Sequence, residues 1–131
     1  MTEHRYRRRV QFADTDMAGI VHFSRYLCFV EEAEHALWRA AGLSIAPPGG
    51  TISFPRVTAS LEFHAPLRFE DEFEVLIRVA ERTRRSIRYT TEIRRGDVRI
   101  ASGTHTAVCV RVSDGPLEAI AIPDDIVARL S

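Results

Sequence analysis

Only one segment of this chain keeps helical period over more than two turns. Phe23, Tyr26, Leu27, Val30, Ala33, Leu37 and Ala41 recur at spacings of three and four, which lines them up along one side of an α-helix. Ser24 is the expected N-cap and Gly42 the expected stop. The helix between them is expected to run about 18 residues, or ~27 Å. Arg25, Glu31, Glu32, His35 and Arg39 give it polar positions, but Cys28, Phe29, Ala36, Trp38 and Ala40 widen the apolar girth beyond one face. Such a helix must be covered on more than one side, and the remaining chain has to supply the cover.

That remaining chain reads as strands. Tyr6, Val10 and Phe12 share one face of a strand over 4–12, with Arg7, Arg9 and Gln11 opposite and Arg8 breaking the alternation. Residues 43–55 contain two prolines and two glycines and form a loop; its Ile45, Ile52 and Phe54 cover a ligand pocket, a subunit seam or the chain's own core. Alternation then predicts strands over 57–65, 73–80 and 87–94, and a long one over 98–112 with a bulge or bend at Gly103. In that last strand Ile100, Thr104, Thr106, Val108, Val110 and Val112 share a face, so His105 falls on the opposite one; His64 likewise falls opposite its strand's apolar residues. A short helix is expected over 123–130. The order β-α-β-β-β-β with short turns implies an α+β fold with an antiparallel sheet wrapped around one long helix. One helix buries only one face of such a sheet, so self-association is expected to cover the rest.

Composition removes several classes of function. A chain of 131 residues suits one domain, taken as residues 1–131. Its 18 acidic residues balance 18 basic ones, which gives no general attraction to nucleic acid or anionic membranes. All the basic residues are Arg, which removes a Schiff-base lysine and a P-loop. Cys28 and Cys109 form no CxxC motif and no zinc cluster, and no histidine pair has HExxH spacing. No metal or other cofactor is expected. No apolar run is long enough to span a membrane and none suggests a signal peptide, so the cytoplasm is the expected location.

The chemistry is concentrated just before the long helix. Asp14, Asp16 and Gly19 occupy a short polar segment whose end faces the free amides of the helix N-terminus. A carboxylate beside such amides can act as nucleophile or general base toward a polarised carbonyl, the role assigned to Asp16. Asp14 is read as an Asx residue organising the strand-to-helix junction. Gly19 permits close backbone approach or a positive φ. His22, six residues after Asp16, is a second acid–base candidate. Of Glu31 and Glu32, either one reaches the pocket or both pair with solvent and helix neighbours. Arg82, Arg84, Arg85 and Arg88 crowd one hairpin and suit a phosphate-bearing tail or a solvated tip.

The segment Phe12-Ala13-Asp14-Thr15-Asp16-Met17-Ala18-Gly19-Ile20-Val21-His22-Phe23-Ser24-Arg25-Tyr26, continued by Glu31-Glu32-Ala33, resembles the D-x-D-x-x-G-x-V-x-x-x-x-Y pattern of hotdog-fold acyl-CoA thioesterases of the 4-hydroxybenzoyl-CoA thioesterase type. The resemblance implies a five-stranded hotdog fold and hydrolysis of an aromatic or short-to-medium-chain acyl-CoA. It places the catalytic carboxylate on Asp16 and the carbonyl-polarising amide on Phe23. Gly19, His22 and Tyr26 fall in the substrate-binding segment, and Arg84, Arg85 and Ser86 resemble the segment that binds the CoA nucleotide. The family's usual Asn two residues after the polarising amide is Arg25 here. The resemblance further implies a homodimer or homotetramer with active sites at the subunit interface. A hotdog enoyl-CoA hydratase or dehydratase using Asp16 and His22, and a noncatalytic acyl-CoA-binding protein, are the alternative readings.

Overall fold

Five strands form an antiparallel sheet whose inner face receives the long helix. The computed structural model describes residues Met1–Ser131. In chain order the elements are β1 (Glu3–Arg9), a 3-10 turn at Phe23–Arg25 running into α1 (Tyr26–Ala40), β2 (Ile52–Ser53), β3 (Arg56–Phe63), β4 (Glu72–Arg82), β5 (Ser86–Arg95), β6 (Val98–Val108), β7 (Val110–Arg111), β8 (Glu118–Ala119) and α2 (Asp124–Arg129). The main sheet has the order β1-β4-β5-β6-β3, and β2, β7 and β8 make a small second sheet. This is the hotdog architecture, with β1 and β3 as its open edges. No helix is long and apolar enough to cross a membrane.

The inner face is built by simple alternation where strands are regular. Phe73, Val75 and Ile77 of β4 and Ile87, Tyr89 and Ile93 of β5 are buried against α1. From the helix, Phe29, Ala33, Leu37 and Trp38 meet them with almost no exposure. Each large side chain fully buried there contributes roughly 1.5–3 kcal/mol. The wider girth of α1 is also covered: Trp38 packs edge-on against Phe54 from the 43–55 loop at 5.0 Å, and Ile45 and Ile52 pack on the same core.

Three expectations need correction. Arg8 does not break the pattern of β1. His4, Tyr6 and Arg8 are the half-buried positions of that strand, and the Arg8 guanidinium lies 4.4 Å from the Phe29 ring centroid. Phe12 lies beyond β1 and is exposed. The inner face of β6 is also not the one expected. Ile93 pairs with Ala101 while Arg94 pairs with Arg99, so Ile100 is an extra residue in a bulge. The bulge reverses the alternation. Beyond it Ala101, His105, Ala107 and Cys109 face inward, and Thr104 and Thr106 are only half-buried.

His105 is therefore a core residue. Its Nε2 donates to Glu34 Oε1 of α1 at 2.7 Å, and its ring stacks on Tyr89 at 4.7 Å. Arg56 Nη2, from the first residue of β3, donates to the same Glu34 oxygen at 2.7 Å. Burial alone would raise the Glu34 carboxyl, but the His105 and Arg56 contacts outweigh it and hold the group below the ordinary carboxylate range. Tyr89 accepts from Trp38 Nε1 at 3.0 Å, and burial with the nearby Glu34 charge pushes its phenol far upward. This cluster ties α1 to β3, β5 and β6 at one point.

Candidate active site

The segment from Gln11 to Arg25 carries two aspartates with opposite environments. Asp14 closes a 3-10 turn at Phe12–Asp14 and is only 1% exposed. Its Oδ2 accepts from Arg8 Nη1 at 2.7 Å and from the Gln11 amide at 2.8 Å. Its Oδ1 accepts from Arg25 Nε at 3.1 Å and Nη2 at 3.0 Å. Burial would raise this carboxyl, but the bonds from Arg8, Gln11 and Arg25 prevail and hold it below the ordinary range. Four donors leave it no free lone pair to offer a substrate. Arg8 also donates to Glu32 Oε1 at 2.8 Å, as does the Tyr6 hydroxyl, which extends the network into α1.

Asp16 is half-buried and largely free. Its Oδ1 accepts from the Ala18 amide at 2.8 Å, an Asx turn, while Oδ2 has no hydrogen-bond partner. The turn is closed by the Gly19 amide on the Asp16 carbonyl and the Asp16 amide on the Ile20 carbonyl, each at 3.0 Å. Gly19 has φ of 79°, which a Cβ would strain. Its segment returns through a bridge between Thr15 and Val21, and the His22 amide bonds the Asp14 carbonyl at 2.9 Å.

At the helix start the cap is His22, two residues earlier than Ser24. The His22 Nδ1 accepts from the Ser24 amide at 3.3 Å and lies 2.7 Å from the Ser24 hydroxyl. Arg25 bonds the His22 carbonyl through its own amide. The Phe23 amide has no acceptor, so it is the unsatisfied donor of the first turn and a natural place for an oxyanion. The Phe23 side chain is 68% exposed.

The remaining expected site residues lie apart or serve the fold. Tyr26 is buried, with its ring against Phe29 and Phe63. Ser86 bonds Thr83 across the hairpin between β4 and β5, its hydroxyl 2.6 Å from that of Thr83. In that hairpin Arg82 is anchored to α2 and the C-terminus and Arg88 pairs with Glu81, whereas the side chains of Arg84 and Arg85 make no hydrogen bond or ion pair. Phe12, Met17, Phe23, Leu27, Phe63 and Phe69 are exposed apolar residues on or near this side of the molecule. A concavity of about 810 Å³ lies instead on the outer sheet face among Arg5, Leu76, Arg78, Thr90, Glu92 and Thr104, and contains none of the expected site residues. It is a mostly polar furrow in the twisted sheet.

Sequence reasoning missed Glu34, Arg56 and Arg8 as interacting residues. Glu34 had a signal: it sits four residues after Val30 and three before Leu37, inside the apolar stripe, where a carboxylate needs a buried partner.

Comparison with known proteins agrees with the fold. The family model described as the thioesterase-like superfamily matches residues 10–130. A putative esterase of Aquifex aeolicus is 31% identical over 95% of both chains. A 1,4-dihydroxy-2-naphthoyl-CoA hydrolase of Nostoc punctiforme is 28% identical over 95% of this chain and 84% of its own. Among solved structures, a gentisyl-coenzyme A thioesterase superposes with a TM-score of 0.88 and 28% identity, covering 98% of this chain and 100% of the other.

Because the folded carboxyl of Asp14 is depressed, its contribution to stability is complete above the unfolded value near pH 4 and is lost as pH falls through the folded value. Asp14→Asn should cost on the order of 1.5–3 kcal/mol at neutral pH. The gap from wild type should narrow below about pH 4. Urea unfolding across that range measures it; a gap independent of pH would contradict the ionised Asp14.

Proposed function

The chain belongs to the thioesterase-like superfamily, and from that premise we propose that it hydrolyses acyl-CoA thioesters with an aromatic or short-to-medium acyl group, the Asp16 carboxylate driving the reaction. The observation that carries this reading is that one short loop and the helix it leads into hold both a free Asp16 oxygen and an unsatisfied Phe23 amide. The thioester oxygen is held by the Phe23 N–H as negative charge develops on it. Asp16 Oδ2 then attacks the carbonyl carbon, or takes a proton from a water that does so. The C–S bond breaks and CoA leaves as its thiolate. After direct attack by Asp16, water hydrolyses the acyl–aspartyl anhydride and returns the carboxylate; after attack by water, the free acid forms at once and the proton held by Asp16 passes to the thiolate or solvent. A thiolate leaves readily, so no strong general acid is needed. His22 Nδ1 is engaged as the helix cap, which leaves only Nε2 for the acid–base role that a hydratase reaction would require.

Two of the relatives are named for dihydroxylated aromatic CoA thioesters, and this favours an aromatic acyl group among the candidates. Gly19 and His22 are assigned to the walls of the site, with Tyr26 supporting them from the core. Arg84 and Arg85 are assigned to the CoA phosphates, because they alone in their hairpin have unengaged guanidinium groups; Ser86 shapes the turn that presents them. The second copy of the chain is assigned to the bare edge of β3, where Val57 and Phe63 are exposed beside the apolar rim of the site. Each active site then lies between two subunits.

A panel of aromatic and aliphatic acyl-CoAs, read by release of free thiol, tests the activity. Turnover of at least one aromatic member is expected; tight binding of CoA esters without thiol release would show a noncatalytic binder. Arg84→Ala with Arg85→Ala should raise KM for the CoA ester more than for a short thioester lacking the nucleotide, and should weaken the salt dependence of KM. Equal effects on both substrates would reject the phosphate role. Sedimentation at micromolar protein should show a dimer or tetramer; a monomer with full activity would reject the shared site.

A further inference from the structure

A cation in the first turn of a helix opposes the helix dipole. Arg25 occupies that position, and neither it nor the rest of the helix start has an acidic residue in the first turn to offset it. Its compensation comes from outside the helix. Both the Nε and Nη2 of Arg25 donate to Asp14 Oδ1, and no other group bonds that oxygen. The other oxygen of Asp14 is held by Arg8 and the Gln11 amide.

The placement of this contact matters more than its strength. Asp16 lies two residues after Asp14, and Phe23 lies two residues before Arg25. The Asp14–Arg25 contact therefore spans the two ends of the segment that carries both reacting groups. The backbone repeats the same closure, since the His22 amide bonds the Asp14 carbonyl and the Arg25 amide bonds the His22 carbonyl. From Arg8 the network continues to Glu32 and Tyr6, which fixes it to α1 and β1. Without Arg25, Asp14 Oδ1 would be left buried with no donor, and the cheapest relief is movement of the 12–22 loop toward water.

We propose that Arg25 is a positioning residue: through Asp14 it holds the Asp16 carboxylate in register with the Phe23 amide. This rests on the assignment of those two groups to thioester hydrolysis. Arg25 itself need not touch the acyl group, and its effect belongs to kcat. A displacement of about 1 Å in such a pair can reduce the rate by ~100-fold.

The test compares wild type with Arg25→Ala, Arg25→Lys, Asp14→Asn and the Arg25→Ala/Asp14→Asn double variant. Turnover of the best aromatic acyl-CoA and amide hydrogen exchange are both measured. Arg25→Ala should lower kcat about 10–100-fold with KM changed less than about threefold. Arg25→Lys, which keeps the charge but not the two-donor contact, should recover part of the loss. In the Asp14→Asn background the further effect of Arg25→Ala should largely vanish. The amides of Asp16, Gly19 and His22 should exchange at least ~10-fold faster in Arg25→Ala. A rise in KM at constant kcat would overturn the proposal in favour of direct substrate contact, and so would an Arg25→Ala loss of equal size in both backgrounds. Exchange protection unchanged in Arg25→Ala would overturn it even if no acyl-CoA were turned over, a result that would separately remove the thioesterase assignment. If Arg25→Ala does not fold, the same comparisons are made with Arg25→Lys against Asp14→Asn.

Discussion

Everything in this molecule depends on burying α1 in the inner face of one antiparallel sheet. Phe29, Ala33, Leu37 and Trp38 are withdrawn from water on that face, and β4 and β5 supply the regular apolar surface they need. The helix is thereby fixed in direction, and its N-terminal turn is fixed in place at one end of the sheet. A site that relies on one unsatisfied backbone amide requires this rigidity, because an amide has no side-chain freedom with which to recover a lost alignment. The Glu34 cluster serves the same end from inside the core. A buried carboxylate that meets His105 and Arg56 sets where the helix sits relative to β6 and β3. Such a group is costly to move once paired.

The two aspartates before the helix have opposite environments within one short segment. Asp14 is saturated by donors and holds the loop; Asp16 spends one oxygen on its turn and keeps the other free. The sequence pattern already assigns the chemistry to Asp16 and the strand-to-helix junction to Asp14. Burial and the two arginines separate them. Met17 and Phe23 of the same segment are exposed apolar residues, and β3 is an open edge of the sheet.

Much of the fold was legible because its signals are local. The three- and four-residue spacing of the helix, the alternation in β4 and β5, and the turn at Gly96 each act over a few residues, and each is found where the sequence placed it. The loop with Asp16 and Gly19 was legible for the same reason. What escaped was non-local. The extra residue at Ile100 reverses the faces of β6, and nothing in the strand's own composition reveals a bulge created by pairing with β5. Hence alternation alone puts His105 on the outer face and gives Glu34, inside the apolar stripe, no visible partner. Arg8 reads as an interruption in the sequence because its partners, Asp14 and Glu32, lie in other elements. Ser24 lost the cap to His22 because the helix opens with a 3-10 turn, which shifts the first free amides.

The central claim is that the Asp16 carboxylate, opposite the Phe23 amide, carries out thioester hydrolysis. Asp16→Asn tests it most directly, because the side chain keeps its size and can still accept from the Ala18 amide. Steady-state kcat on the best acyl-CoA, with contaminating hydrolase excluded, should fall about 10²–10⁴-fold while KM and thermal stability stay close to wild type. A variant that retained the wild-type kcat across the acyl-CoA panel would contradict the account.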